Sequence, residues 1–229
     1  MKVKMKVYKL ITENLASRVA ESYRVIRTNI QFASLENPLK TLLITSAAPS
    51  EGKSTTVANL AIVFAQTGSR VLLLDADLRR PTMHKIFNIS NPVGLTSLLL
   101  QTAVPEIAIR DTGIMHLKIL TSGPTSTNPS EILGSRRMHE LLARFARDFD
   151  YIIIDSSPVL AVTDSCILAS MVDGVVIVVA ADEVSIDKVK KAKQQLQSVK
   201  ANILGVVLNG LEHEGREEYY YYYGRRSGD

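Results

Sequence analysis

The sequence predicts an α/β fold in which a mostly parallel, twisted sheet is covered by helices on both faces. Two observations carry this prediction. Short apolar runs of strand length, such as residues 71–74 and 152–154, alternate along the chain with longer segments of helical periodicity. One strand also runs into a loop that ends in Gly52-Lys53-Ser54, and a helical pattern follows at once. Strands that alternate with helices are joined by crossover connections and therefore lie parallel in one sheet.

The predicted elements follow one another without an internal repeat. The first helix spans residues 16–33, where apolar residues recur at helical spacing, and Pro38 separates it from the first strand. The predicted strands are 42–44, 71–74, 117–120, 151–155, 175–179 and 203–208. The other predicted helices are 57–66, 95–100, 131–149, 164–170 and 186–199. Residues 101–115 carry no predicted element, and residues 122–129 are interpreted as a loop.

The chain is interpreted as one domain with a flexible segment at each end. Its 229 residues suit a single α/β domain with a substantial core, predicted over residues 15–211. Residues 1–14 are interpreted as a flexible lead-in. Residues 212–229 are interpreted as a flexible tail, because the composition shifts sharply there to charged residues and then to tyrosines.

Composition and charge argue against several classes of protein. The net charge of +4 is mild and its basic residues are scattered, whereas nucleic-acid binding favours a concentrated basic stripe. No run reaches the roughly 18 apolar residues of a membrane span, and no signal-peptide core follows the basic N-terminus. The single cysteine, Cys166, lies in an apolar stretch and is interpreted as a buried small side chain. We therefore expect a cytoplasmic protein that binds no nucleic acid.

The loop of residues 47–54 has the pattern of a phosphate-binding loop. The backbone N–H groups of such a loop, with the positive end of a helix behind them, point at a polyphosphate. Lys53 is expected to reach the β- and γ-phosphates, and the Ser54 hydroxyl to bind Mg²⁺. The match to the pattern G-x-x-x-x-G-K-[ST] is incomplete, because Ala47 stands at the first glycine position.

Three acids follow strands of the predicted sheet: Asp75, Asp77 and Asp155. Ligands of open parallel sheets bind beyond the carboxyl ends of the strands, so these acids should converge on the loop of residues 47–54. A lone aspartate in such a position is usually a helix cap. Three beside a Gly-Lys-Ser triplet are better explained by a site for Mg²⁺ and a triphosphate, since Mg²⁺ binds few carboxylates together with phosphate oxygens.

Two further features leave alternatives open. Glu21, Arg24 and Arg27 are three residues apart on the first helix, where they form either a solvated charged face or a stripe that meets a neighbouring subunit. Tyr219, Tyr220, Tyr221, Tyr222 and Tyr223 form an unbroken run near the end of the chain. The run is either a sticky edge strand or disordered aromatic tail, or a set of phosphate acceptors, each of which would gain about −1.5 to −2 charges.

Together these motifs resemble the bacterial tyrosine kinases of the capsule and exopolysaccharide type, specifically the separate cytoplasmic kinase subunit of Gram-positive bacteria. The resemblance covers nearly the whole chain and implies a P-loop NTPase-like fold. The motifs that carry it are residues 21–30, the loop to Thr55, residues 74–81, Asn128–Leu133, residues 154–158, residues 205–209 and the tyrosine run.

The resemblance implies ATP and Mg²⁺ as cofactors and a role for each motif. The nucleotide-binding residues would be Ser50, Glu51, Gly52, Lys53, Ser54 and Thr55, with Asn209 at the adenine. Asp75 would orient or deprotonate the tyrosine, while Ser54, Asp77 and Asp155 would organise Mg²⁺; the division between Asp75 and Asp77 stays open.

The resemblance also implies partners. Glu21, Arg24 and Arg27 would lie at a subunit contact, which favours the second interpretation of that stripe. Subunits would assemble in a ring and phosphorylate a neighbour's tyrosine run. A transmembrane adaptor would activate the kinase at the inner face of the membrane, a tyrosine phosphatase would reverse the reaction, and the output would be control of capsular or extracellular polysaccharide synthesis and export.

The sequence departs from the family pattern at two positions. Ala47 replaces the first glycine of the loop, where a small residue is expected to suffice. Ser157 stands where the family usually has proline, and we expect it to loosen the turn after Asp155. Neither change removes a ligand of the predicted site.

Two rival interpretations remain. One is a nucleotide switch of the cell-division or partition ATPase class, which carries an extra lysine early in the loop and often ends in an amphipathic helix. This chain has Ala48 at that lysine position and ends in tyrosines, so the kinase is favoured. The other is a non-catalytic scaffold that binds ATP only to assemble with a membrane partner, which the intact Lys53 and aspartates disfavour.

Overall fold

Seven strands form one sheet in the part of the chain that the computed structural model describes, residues 10–13, 17–34, 38–181 and 183–211. The strands are β1 (Thr41–Ser46), β2 (Val71–Asp75), β3 (Ile109–Asp111), β4 (Leu117–Leu120), β5 (Tyr151–Asp155), β6 (Gly174–Ala180) and β7 (Ile203–Asn209). Their order is β3-β4-β2-β5-β1-β6-β7, and every neighbouring pair is parallel except β3 and β4. This confirms the predicted mostly parallel sheet.

The helices lie on both faces of the sheet, as predicted. They are α1 (Arg18–Ala33), α2 (Lys53–Ala65), α3 (Met83–Ile86), α4 (Leu95–Leu99), α5 (Pro105–Ala108), α6 (Pro129–Leu133), α7 (Arg136–Asp148), α8 (Asp164–Ala169) and α9 (Ile186–Ser198). The elements α3, α5 and β3 were not predicted, because runs of three or four residues are too short to show a period.

The predicted helix 131–149 is wrong, because the structure divides it into α6 and α7. Ser135 interrupts it with an extended backbone, and its hydroxyl accepts the N–H of Met138 to cap α7. A serine in this position competes with the helical backbone for hydrogen bonds and favours a new N-terminus. The two helices therefore meet at a break of two residues, Gly134 and Ser135.

Part of the predicted lead-in belongs to the folded domain. Residues 11–13 form a turn of 3-10 helix, and Ile11 is buried in the core cluster beside α2. The backbone N–H of Ile11 donates to Asn59 Oδ1 at 3.0 Å. For residues 10–13 the predicted boundary at residue 14 is therefore wrong; residues 1–9 and 14–16 lie outside the described residues.

The strands whose sequences are unbroken apolar runs are buried on both faces. In β2, Leu72 and Leu74 face the core cluster formed with α4, α7 and α8, while Val71 and Leu73 face the cluster formed with α1 and α2. Alternate side chains of a strand point to opposite faces, so both sets need apolar residues when helices cover both sides. The continuous run in the sequence follows from this arrangement.

The topology brings three strand ends together. β5 lies between β1 and β2, so that Asp155 pairs in register with Ile44 on one side and with Asp75 on the other. The loop that follows β1 and the acids that follow β2 and β5 therefore meet at one edge of the sheet, as predicted.

Among the helices of the described residues, none combines the length and the apolar character that a membrane crossing requires.

Candidate active site

The phosphate-binding loop owes its shape to two residues with left-handed backbone. Ser50 has φ 71° and Gly52 has φ 77°, and α2 begins at the residue after Gly52. A Cβ atom on Gly52 would lie 2.0 Å from Asn209 Nδ2, so this position excludes a side chain for two independent reasons. Ala47, in contrast, is buried in the core without a positive φ, which explains why this loop tolerates alanine at its first glycine position.

Glu51 holds the loop through its buried side chain. Its carboxylate accepts the backbone N–H of Ala48 and, at 3.2 Å, that of Ala180 at the end of β6. Burial raises the pKa of this carboxyl group above its ordinary value. Asn209 Nδ2 donates to the Glu51 carbonyl at 3.1 Å. Both predicted nucleotide contacts therefore support the loop with their side chains.

Lys53 lies over the acids at the strand ends. Its Nζ pairs directly with Asp155 Oδ1, lies 3.9 Å from Asp77 Oδ2, and donates to Ser54 Oγ at 3.3 Å. The lysine side chain is only 8% exposed, so its charge offsets the carboxylates inside the protein. If Lys53 bound the phosphates of a ligand instead, Asp155 would be free to bind another cation.

Asp155 has the features expected of a metal ligand. It is fully buried, burial raises the pKa of its carboxyl group, and the Lys53 charge opposes that rise. Its second oxygen, Oδ2, has no hydrogen-bond partner among the described residues. A buried carboxylate oxygen without a partner is costly unless a ligand or water meets it. Together with the adjacent Ser54 hydroxyl, this oxygen fits Mg²⁺, which prefers oxygen ligands.

Asp75 and Asp77 differ sharply in access. Asp75 is fully buried, and its Oδ2 accepts the N–H groups of Thr82 at 3.2 Å and Met83 at 3.0 Å. Burial and the neighbouring Asp155 charge raise the pKa of Asp75 to about 8. Asp77 instead lines the open cavity beside the loop. Asp75 Oδ2 is thus directed to the start of α3, while its Oδ1 accepts the Asp77 N–H at 3.3 Å. The role of Asp75 in orienting or deprotonating a tyrosine stays a prediction.

The cavity beside the loop has a volume of about 440 Å³. The residues around it come from the phosphate-binding loop, from the segment after β2 and from the segment after β5: Ser46, Pro49, Ser50, Gly52, Lys53, Ser54, Thr55, Asp77, Arg79, Arg80, Thr82, Ser157, Pro158, Ala161 and Val162. It combines cationic side chains, one acid and the positive end of α2. Such a lining suits a polyphosphate with its metal ion.

Comparison with known proteins identifies the family of this chain. A family model described as NUBPL iron-transfer P-loop NTPase, of the ParA group, matches residues 38–226. The chain is 47% identical over 203 residues to tyrosine-protein kinase YwqD of Bacillus subtilis, covering 89% of this chain and 86% of that protein. It is 39% identical over 208 residues to putative tyrosine-protein kinase CapB of Staphylococcus aureus, covering 91% of each. The chain belongs to the bacterial tyrosine kinase family, within the P-loop NTPases.

Solved kinase structures share the fold of this family member. The kinase domain of Escherichia coli tyrosine kinase ETK has a TM-score of 0.87 at 31% identity, covering 96% of this chain and 88% of that one. The chimerical protein CapA2B2 has a TM-score of 0.84 at 41% identity, covering 86% and 87%. The predicted P-loop NTPase-like fold is therefore confirmed for this tyrosine kinase family chain.

One polar cluster beside the candidate site was not predicted from the sequence. Arg79 donates through Nε and Nη2 to both oxygens of the buried Asp164, at 2.8 and 3.1 Å, and through Nη2 to Ser130 Oγ at 3.1 Å. Ser130 Oγ also donates to Asp164 at 2.6 Å. These bonds tie the segment after β2 to the starts of α6 and α8. The signal was present, since residues 74–81 and 128–133 are both motifs of the resemblance.

Ser157 does not loosen the turn after Asp155. Its carbonyl accepts the hydroxyls of Thr45, at 3.0 Å, and of Ser165, and its own hydroxyl donates to Asp77 Oδ1 at 2.8 Å. The Ser156 hydroxyl also donates to this carbonyl, at 3.3 Å. The expectation of a looser turn is therefore wrong, because four hydrogen bonds hold a residue that is 2% exposed.

The predicted interface stripe divides into two parts. Arg24 Nη1 pairs with Glu21 at 2.8 Å on the exposed side of α1. Arg27 Nη1 instead donates to the Val63 carbonyl of α2 at 2.8 Å. Arg27 thus helps to dock α1 on its own domain, and the subunit contact stays a prediction. Tyrosines 219–223 lie outside the described residues.

Proposed function

We propose that this chain is an ATP-dependent protein tyrosine kinase that phosphorylates tyrosines 219–223 of neighbouring subunits. One observation carries the proposal: Lys53 lies over Asp155 and Asp77 at the phosphate-binding loop, in a chain 47% identical to a named tyrosine-protein kinase. Each of these side chains has a use in phosphoryl transfer, where catalysis consists largely of positioning and of stabilising charge.

Lys53 and the loop backbone would hold the nucleotide. The first residues of α2 line the cavity, and Lys53 would leave Asp155 to reach the phosphates. Ser54, Asp155 and Asp77 would then hold Mg²⁺, with the free Asp155 Oδ2 as one ligand or as acceptor from a bound water. When bound there, Mg²⁺ would supply positive charge that offsets the negative charge developing on the transferred phosphate.

Asp77, rather than Asp75, is the acid that meets the reactants in this proposal. Asp77 lines the cavity, whereas Asp75 accepts backbone N–H groups from α3 and is fully buried. Asp75 would support the segment that carries Asp77. Phosphoryl transfer through a loose transition state needs little proton abstraction from the phenol, so no second acid has to reach the tyrosine.

The chain's own tyrosine run and its family membership support the choice of acceptor and partners. Five tyrosines in a row offer adjacent phenols to a neighbour's cavity. We propose that subunits assemble through the Glu21 and Arg24 side of α1, that a transmembrane adaptor recruits and activates them at the inner face of the membrane, and that a tyrosine phosphatase reverses the reaction. The state of the tail would regulate synthesis and export of capsular or extracellular polysaccharide.

A partition-type ATPase switch is the second candidate, because the matching family model belongs to the ParA group. Both functions require the same nucleotide site, so only the fate of the γ-phosphate separates them. Ala48 at the position of the extra lysine favours the kinase.

Labelled ATP distinguishes the candidates. Purified full chain with Mg²⁺, with and without the cytoplasmic segment of the adaptor, should acquire phosphotyrosine within residues 219–223. Replacement of all five tyrosines with phenylalanine should abolish incorporation and leave nucleotide binding intact, whereas Lys53→Met should lower incorporation by about 10²-fold or more. Release of free phosphate with an unmodified tail would overturn the kinase proposal in favour of the switch.

A further inference from the structure

Ser157 is held from two sides of the fold. Its carbonyl accepts the Thr45 hydroxyl from the end of β1 and the Ser165 hydroxyl from α8. The residue is 2% exposed and follows Asp155 by two positions. Because β1 and α8 hold the backbone of Ser157, the position of its hydroxyl is set by the core and not by a surface loop.

The two carboxylate oxygens of Asp77 have different hydrogen-bond partners, because the Ser157 hydroxyl donates to only one of them. Oδ1 accepts the hydroxyl at 2.8 Å and the backbone N–H of Arg80 at 3.1 Å. Oδ2 accepts no hydrogen bond from the residues that the structure describes, and it lies 3.9 Å from Lys53 Nζ. One oxygen is thus occupied by the protein, and the other is directed toward the place where phosphate and metal would bind.

We infer that Ser157 is a positioning residue that fixes the side-chain torsion of Asp77 and so presents Oδ2 alone to Mg²⁺. This inference rests on the proposed magnesium site and adds a residue to it. The terminal torsion of an aspartate is broad, so a carboxylate without a partner samples many orientations. Residues that hydrogen-bond a metal ligand from behind set its orientation, and their loss typically costs about 10–100-fold in metal affinity or activity.

The Arg80 N–H cannot replace the serine by itself. It is a single donor to the same oxygen, at a longer distance of 3.1 Å. Without the hydroxyl, the carboxylate is free to turn about that one bond, and either oxygen can face Lys53. The expected loss is therefore in the metal-dependent part of nucleotide binding, because the loop backbone and Lys53 contact phosphate without help from Asp77.

The test measures binding of a fluorescent ATP analogue to the full chain across a Mg²⁺ titration and in EDTA. Ser157→Ala should raise the Mg²⁺ concentration at half-maximal enhancement by about 10-fold or more. Affinity in EDTA should stay within about twofold of the wild type. Ser156→Ala is the matched control, because Ser156 is an adjacent buried serine whose hydroxyl donates to Ile44 and Ser157 carbonyls and not to Asp77.

A double-mutant cycle adds a second measurement. Asp77→Asn should weaken the Mg²⁺ response, and adding Ser157→Ala to it should cost nothing further, since the two residues act as one unit. If Ser157→Ala fails to fold, the pair Ser157→Thr and Ser157→Val keeps the comparison, because only threonine retains the hydroxyl at equal size.

The outcomes are distinct. An unchanged Mg²⁺ response in Ser157→Ala, an equal shift in Ser156→Ala, additive losses in the cycle, or equal responses in the threonine and valine variants would overturn the inference. A wild-type protein that binds nucleotide without any Mg²⁺ dependence would refute the proposed magnesium site itself.

Discussion

Lys53→Met, the variant that tests activity, should also destabilise the fold. Lys53 Nζ is paired with Asp155 and lies 3.9 Å from Asp77, and the lysine and Asp155 side chains are 8% and 0% exposed. Methionine preserves the length of the side chain and removes its charge. The variant therefore leaves two carboxylates close together in the protein interior without a cation.

The expected cost is that of breaking a buried ion pair from one side. Such changes destabilise by about 3–5 kcal/mol, because the remaining charge is buried without compensation. For a chain of this size about 1 kcal/mol corresponds to a Tm shift of about 2–4 °C, so the expected decrease is about 6–20 °C. Lys53→Met/Asp155→Asn should recover most of it, since the buried charge is removed together with its partner.

Lys118→Met is the matched control. Lys118 pairs with Asp111 at 3.2 Å on the surface, where the two side chains are 50% and 69% exposed. An exposed pair contributes at most about 1 kcal/mol. Urea denaturation and thermal melting of the nucleotide-free proteins measure all these variants. A Lys53→Met protein as stable as Lys118→Met, or a double variant less stable than Lys53→Met, would refute the reasoning.

The deficit should depend on pH in a defined direction. Burial raises the pKa of Asp155 above its ordinary value of 3.8, and the Lys53 charge opposes this, so the variant has the higher pKa. The native state then binds more protons than the unfolded state above about pH 4, and stability falls as pH rises. The difference in unfolding free energy between wild type and Lys53→Met should therefore be larger at pH 8 than at pH 5.

Three further predictions concern single backbone or side-chain contacts. Gly52→Ala should weaken nucleotide binding and lower the free energy of unfolding by more than about 1–2 kcal/mol, since its φ is 77° and the new Cβ meets Asn209. Adding Asn209→Ala should relieve the clash but not the backbone strain. Arg27→Ala should destabilise the domain by about 1–2 kcal/mol through loss of its bond to α2. The i,i+3 pair of Arg24 with the exposed Glu21 should itself contribute only about 0.5 kcal/mol or less. Gly94→Ala should abolish folding, because its Cβ would lie 2.2 Å from a backbone oxygen.

Each of these has a measurement that can contradict it. Nucleotide affinity and denaturation are measured for Gly52→Ala. The predicted clash is refuted if adding Asn209→Ala restores neither affinity nor stability. Native mass and denaturation are measured for both arginine variants. A monomeric Arg24→Ala protein of normal stability would support the subunit contact, which Arg27→Ala alone cannot test because that change also destabilises the domain. The yield of soluble protein is compared between Gly94→Ala and the control Gly205→Ala, whose Cβ meets nothing within 4 Å. A soluble Gly94→Ala protein would contradict the prediction.

The long elements and the ends of the central strands were predictable from the sequence. Continuous apolar runs such as Val71–Leu74 are typical of strands buried on both faces, and the acids after them were expected to meet the phosphate-binding loop. Their convergence follows from topology alone, since β5 lies between β1 and β2. Short elements such as β3 were not predictable, because three residues carry no period.

The orientation of side chains at the site was the part that sequence could not supply. Asp75 and Asp77 are two residues apart at the end of one strand, yet one turns to backbone N–H groups and the other to the cavity. Glu51 belongs to the loop motif but uses its carboxylate to hold that loop. Ser157 was expected to weaken a turn that its hydrogen bonds hold. The Glu51 and Ser157 side chains depend on contacts with residues distant in sequence, whereas Asp75 depends on the backbone of the segment that follows it.

Asn209, the last residue of β7, connects the C-terminal end of the described domain to the phosphate-binding loop. Asn209 donates to the Glu51 carbonyl, and its amide lies where a Gly52 side chain would be. The tail with its tyrosines begins only three residues later, at residue 212. A displacement of residues 210 and 211 would therefore act first on Asn209, the residue that braces the phosphate-binding loop.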